Sequence, residues 1–140
     1  MVYRIFSYLL AKLSYILYIA RRKMQVLKHE IIKFINKKYN ATPEYLWRRY
    51  PTYCVFRHKN NNKWFALIGT VPRHILKLVG DGEIDFINVK TSDAEFFRGA
   101  KGILPAYHMN KNHWITILLD GSLPIKNIQN LIETSYELTK

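Results

Sequence analysis

The chain has 140 residues, 49% of them apolar, with 22 Lys and Arg against 10 Asp and Glu for a formal charge of +12. That length supports one core of ordinary size and is too short for two full domains, while the charge favours polyanionic partners, nucleic acid or an anionic membrane surface. The single cysteine, Cys54, excludes an internal disulfide and fits a reducing cytoplasm.

Residues 1–23 differ in composition from everything that follows: five basic groups (Arg4, Lys12, Arg21, Arg22, Lys23) and no acid. The stretch VYRIFSYLLAKLSYILYIARRK is nearly long enough to span a bilayer, yet Arg4 and Lys12 interrupt it, and a mid-helix lysine costs about 3 kcal/mol in hydrocarbon. The basic cluster follows the apolar part, the reverse of a secretory signal. Two readings remain: a basic, tyrosine-rich helix lying on a membrane surface, or sequence upstream of the domain, with Met24 as the true or alternative start. The second is preferred, so the expected organisation is an extension (1–23) followed by one domain (24–140). Membrane contact is expected only if the extension is native.

From Met24 to Leu78 there are eleven Lys or Arg against Glu30 and Glu44, whereas Val79 to Lys140 has six against eight acids. A polyanion-binding face therefore draws mainly on the first half. Gln25 to Lys38 places Leu27, Ile31, Phe34 and Ile35 at helical spacing, predicting an amphipathic first helix. Thr42, Pro43 and Glu44 predict a short turn of helix that stops before Pro51.

Tyr53 to His58 and Lys63 to Gly69 are rich in aromatic and β-branched residues and flank Asn60, Asn61 and Asn62, which predicts a β-hairpin. Asp81 and Gly82 turn the chain into a third strand, Glu83 to Val89. Ser92 to Glu95 has a capping-box pattern for a brief helix ending near Gly99. A further strand covers Trp114 to Leu119, and Pro124 opens a last helix with Ile125, Ile128, Leu131, Ile132 and Leu138 on its buried stripe. Helix, several strands, helix implies α+β with a mostly antiparallel sheet flanked by the N- and C-terminal helices.

No metal or cofactor is expected: His108, His113, Cys54 and His58 form no ligand spacing, and Gly80 and Gly82 read as turn glycines. Cys54 lies inside a strand pattern, without a loop or helix terminus to activate its thiol. Basic groups interleaved with aromatics are more informative: Trp47, Arg48, Arg49 and Tyr50, then Arg57, His58 and Lys59, then Lys63 and Trp64. Such cations meet phosphates, and exposed rings meet bases. The hairpin would then be a basic β-wing, though core aromatics with solvating charges explain the composition equally well. In PAYHMNKNHWITILLDGSLP, the residues His108, Asn110, Lys111 and His113 have donors for phosphate or for the loop's own backbone.

That same segment, followed by LIETSYELT and preceded by PEYLW, VFRH, KWFALIGTVPR and INVK in order, resembles the MmcQ/YjbR family from about Met24 to Thr139. The resemblance implies a compact α+β fold similar to secretion chaperones and a DNA-binding role without enzymatic activity. The positions matching the family pattern are Arg57, His58, Lys63, Trp64, Pro72, Arg73, Lys90, Tyr107, His108, Asn110, Lys111, His113, Trp114, Asp120 and Gly121. A cysteine-containing turn usual after the family's lysine is replaced here by Thr91, Ser92 and Asp93, which removes any role for that thiol. The expected nucleic-acid-binding set is Arg48, Arg49, Arg57, His58, Lys59, Lys63, Arg73, Lys90, His108, Asn110 and Lys111, with DNA as the expected partner. The alternatives are a chaperone-like module binding a peptide along the sheet, or, less favoured, an enzyme or small-ligand binder centred on His108 and His113 with Asp120.

Overall fold

The first proline is Pro43 and the first glycine Gly69, so nothing interrupts a helix early in the chain. In the structure, a computed structural model describing residues 1–140, α1 accordingly runs unbroken from Val2 to Tyr39, through the expected boundary at Met24. It ends at Asn40, whose left-handed backbone (φ 50°) returns its N–H to the Asn36 carbonyl.

Five strands follow: β1 (Cys54–Arg57), β2 (Trp64–Pro72), β3 (Glu83–Lys90), β4 (Ile103–Pro105) and β5 (Trp114–Leu118). They form one antiparallel sheet in the order β1-β2-β3-β5-β4. The short α2 (Ala94–Phe97) lies between β3 and β4, and α3 (Ile125–Leu138) closes the chain. The expected turn of helix near Glu44 is absent, because the Glu44 backbone bridges Val55 and extends the edge of β1 instead. The N-cap of α2 is Asp93 rather than Ser92, its carboxylate accepting the Phe96 N–H at 3.0 Å. β4 has no alternating pattern of its own and is a strand only because β5 supplies its partner.

Both long helices cover the same face of the sheet. Ile31 and Ile35 of α1 and Ile128 and Ile132 of α3 are fully buried against Phe56, Ile68, Ile87, Val89, Ile115 and Ile117, and the two helix ends meet where Tyr39 stacks on Tyr136 at 3.9 Å. Lys28 reaches the same face near its other end, donating to Thr70 Oγ1 at 2.9 Å and lying 3.8 Å from the buried Asp85 carboxylate. The other face carries a smaller core, centred on Tyr53, Val55, Leu67, Phe86 and Leu118, and is covered by loops. Gly69 sits on that face: a Cβ there would fall 2.8 Å from the Tyr53 ring and 2.9 Å from that of Phe86.

Antiparallel pairing fixes which loops share an end of the sheet. The β1–β2 tip, the chain leaving β3 and the loop entering β5 lie together at one end, which we call the hairpin end. The 73–82 turn, Asp120 and the point where α1 runs past the sheet lie at the other.

Candidate nucleic-acid interface

At the hairpin end the β1–β2 tip is held rigidly. Asn61 Nδ2 donates to the Thr139 carbonyl at 3.0 Å, Asn61 Oδ1 accepts the Lys63 N–H at 2.9 Å, and Asn62 takes the left-handed backbone (φ 60°) that closes the turn. Lys59 and Lys63 project from this tip into solvent, and neither has a carboxylate within ion-pair distance. Lys90, half-buried at the end of β3, stands in register opposite Trp114.

The loop before β5 is tied down by side chains buried in the sheet. Thr116 Oγ1 accepts the Tyr107 N–H at 2.8 Å and donates to Asn88 Oδ1 at 2.5 Å, while Asn88 Nδ2 donates to the Tyr107 carbonyl at 2.7 Å. Further along, Asn110 Oδ1 accepts the Asn112 N–H and the Asn110 carbonyl accepts the N–H groups of His113 and Trp114. The Arg98 guanidinium donates to the Lys111 carbonyl, joining this loop to the end of α2. His108 (φ 58°) and Lys111 are left exposed on the loop surface. The segment is thus a stiff junction first, and Asn110 shapes the turn with its side-chain oxygen rather than offering it to a ligand.

A line of aromatic rings crosses the loop-covered face: Trp64 to Trp47 at 5.7 Å, Trp47 to Tyr53 at 6.4 Å, Tyr53 to Phe86 at 5.7 Å and Phe86 to Tyr107 at 5.5 Å, all nearly edge to face. Tyr50 stacks on Tyr53 at 5.0 Å, and burial with the Tyr107 hydroxyl beside it pushes the Tyr53 phenol well above its ordinary range. Arg48 and Arg49 turn the chain next to Trp47 and are exposed. No local sequence signal announces the Tyr53–Phe86–Tyr107 contact, since these rings are brought together only by strand pairing.

The expected site residues therefore divide. Lys59, Lys63, Lys90, His108 and Lys111 share the hairpin end, and Arg48 and Arg49 flank the aromatic line at the β1 edge. Arg57 lies over Trp64 at 5.7 Å and pairs with Glu44 at 3.0 Å, so its charge is largely answered within the fold. Arg73 is at the opposite end, donating from Nε to the Val79 carbonyl at 2.9 Å. His58 is interior: 3% exposed, 2.8 Å from Thr139 Oγ1 and packed on Phe65 and Tyr136. Its burial lowers the imidazole pKa and so disfavours the charged form that a phosphate contact needs.

The YjbR family model matches residues 36–138. The uncharacterised Bacillus subtilis protein YyaQ is 44% identical over 115 residues, covering 81% of this chain and 98% of that protein. The uncharacterised Escherichia coli protein YjbR is 43% identical over 54 residues, 36% of this chain and 46% of that one. A crystal structure of a Pseudomonas syringae protein superposes with a TM-score of 0.77 at 43% identity, covering 80% of this chain and 97% of that chain. A Deinococcus radiodurans crystal structure shares the fold alone, at TM-score 0.59 and 22% identity over 79% of this chain and 75% of that one.

Proposed function

We propose that this chain, which belongs to the YjbR family, binds nucleic acid without catalysing a reaction, by contacting phosphates from the hairpin end of its sheet. The observation that carries the reading is the placement of Lys59, Lys63 and Lys111, exposed and free of carboxylate partners, at the same end of the sheet on two segments locked by their own hydrogen bonds. Cations on stiff supports lose little freedom when they meet a phosphate backbone. The Arg48 and Arg49 turn extends the positive surface towards the aromatic line.

The peptide-binding alternative gains no support from the sheet edges. The outer edge of β1 is partly occupied by the Glu44–Val55 bridge, and β4 is three residues long and ends in Pro105, so neither offers a long strand template. Nor do the groups of the small-ligand alternative converge: His113 and Asp120 bracket β5 at opposite ends, and Asp120 Oδ1 accepts the Ser122 N–H at 2.9 Å. Burial raises the Cys54 thiol pKa, which leaves it a poor nucleophile.

The test is duplex DNA binding over rising salt, for the full chain and for Lys59→Ala/Lys63→Ala/Lys111→Ala. If each lysine neutralises one phosphate, the slope of log affinity against log salt falls in magnitude by about 2.7 in the triple variant. An unchanged slope sinks the reading.

A further inference from the structure

No side chain in the first six turns of α1 is buried. Every large apolar side chain from Val2 to Tyr18 is at least half exposed, among them Phe6 at 63%, Leu9 at 56% and Leu17 at 61%. These residues are not spread evenly round the helix. Val2, Phe6, Leu9, Leu13, Ile16 and Ala20 repeat in alternating steps of four and three, which places them in one stripe. The opposite face carries Arg4, Tyr8, Ala11, Tyr15, Tyr18 and Arg22 at the same spacing, with Arg22 donating to the Tyr18 hydroxyl at 3.2 Å. An apolar stripe this long, left exposed where α1 extends beyond the part packed on the sheet, needs a covering surface.

The charge decides which surface. The segment carries five cations and no acid, so pairing with a second copy would set like charges against each other with no carboxylate between them. An anionic bilayer answers both features, taking the stripe into its acyl region and the cations at its headgroups, where tyrosines are also favoured. We propose that residues 2–23 anchor the protein to an anionic membrane, with the stripe inserted and Arg21, Arg22 and Lys23 against lipid phosphates.

The fold constrains the pose. From Leu27 onward the same stripe continues into Ile31 and Ile35, which are packed on the sheet, so the domain occupies the apolar side and the helix cannot lie flat along its whole length. It meets the lipid at a slant, with the apolar stripe of roughly its first four turns in the acyl region and Arg4 and Lys12 left at the headgroups. The exposed Ile75 and Val79 stand at the end of the sheet that α1 leaves, beside the cleft lined by Leu13 and Leu17. Lys59, Lys63 and Lys111 are at the other end, facing away from the lipid. This inference is independent of the nucleic-acid reading, since it uses none of those cations.

Co-sedimentation of the full chain with phosphatidylcholine vesicles, with and without phosphatidylglycerol, tests it. The wild-type chain should pellet with the anionic vesicles and weakly with the neutral ones. Leu9→Asp/Leu13→Asp should lower anionic partition by about tenfold or more, and both residues are solvent-exposed, so the domain should melt unchanged. Arg21→Ser/Arg22→Ser/Lys23→Ser should reduce the preference for anionic over neutral lipid. Equal pelleting of the leucine variant would mean that the domain's charge alone attracts lipid, overturning the proposal. So would a wild-type chain that stays in the supernatant and forms a lipid-free dimer which the leucine variant dissolves, because a second copy would then cover the stripe.

Discussion

His58 shows how one residue type can carry opposite meanings. Next to Arg57 and Lys59 it reads as part of a basic cluster, yet it is the inward-facing member of that run, bonded to Thr139 and enclosed by Phe65 and Tyr136. Burial holds its pKa below the ordinary 6.5. As pH falls through that value the unfolded chain takes up the proton before the folded one does, so stability falls with it and levels off once the folded ring is also protonated. Melting temperature should therefore decline between about pH 7 and pH 5 more steeply in wild type than in His58→Gln, which keeps a hydrogen-bonding group without titrating there. Parallel curves would show that the ring is not held neutral by the fold. Arg57 illustrates the same limit: its charge was legible, but Glu44 as its partner was not, because the pairing depends on the chain doubling back along β1.

At the level of elements, periodicity was a good guide wherever burial is one-sided. The stripes of Leu27, Ile31 and Ile35 and of Ile128 and Ile132 marked the helices, and the paired β-like runs around three asparagines marked the hairpin. It failed where neighbours decide: β4 is three residues paired only to β5, and Ser135 is buried in α3 because its hydroxyl donates to the Phe65 carbonyl at 2.6 Å and accepts the Lys90 N–H at 2.8 Å. Gly69 belongs here too. It is the point in β2 where Tyr53 and Phe86 approach the backbone too closely for a side chain, so Gly69→Ala should destabilise the domain by about 1–3 kcal/mol in urea unfolding through overpacking. A neutral result would show that the two rings move apart freely. The loop from Tyr107 to Trp114 was visible as a cluster of donors, but only Asn88 and Thr116, on two other strand positions, reveal that it is fastened to the sheet.

The whole molecule is a short domain whose two proposed contact surfaces lie at opposite ends. α1 is about 57 Å long, and it carries the apolar extension away from the end of the sheet opposite the exposed hairpin lysines. Because no side chain from Val2 to Lys23 is buried, a chain starting at Met24 should keep its melting temperature within about 3 °C. In that shortened chain, Lys59→Ala/Lys63→Ala/Lys111→Ala should still flatten the salt dependence of DNA binding. If the shortened chain has no such dependence left to lose, the extension and not the hairpin end is the polyanion contact.

By itself the sequence determined the class of fold, the family, the excess of positive charge and the apolar character of the first helix, because each of these is written in local composition and period. Only the tertiary structure decided which cations remain free, which histidine is interior, and that the first helix continues without a break into the domain. Burial and ion pairing depend on strands and loops distant in the chain, and no local pattern records which of them will meet.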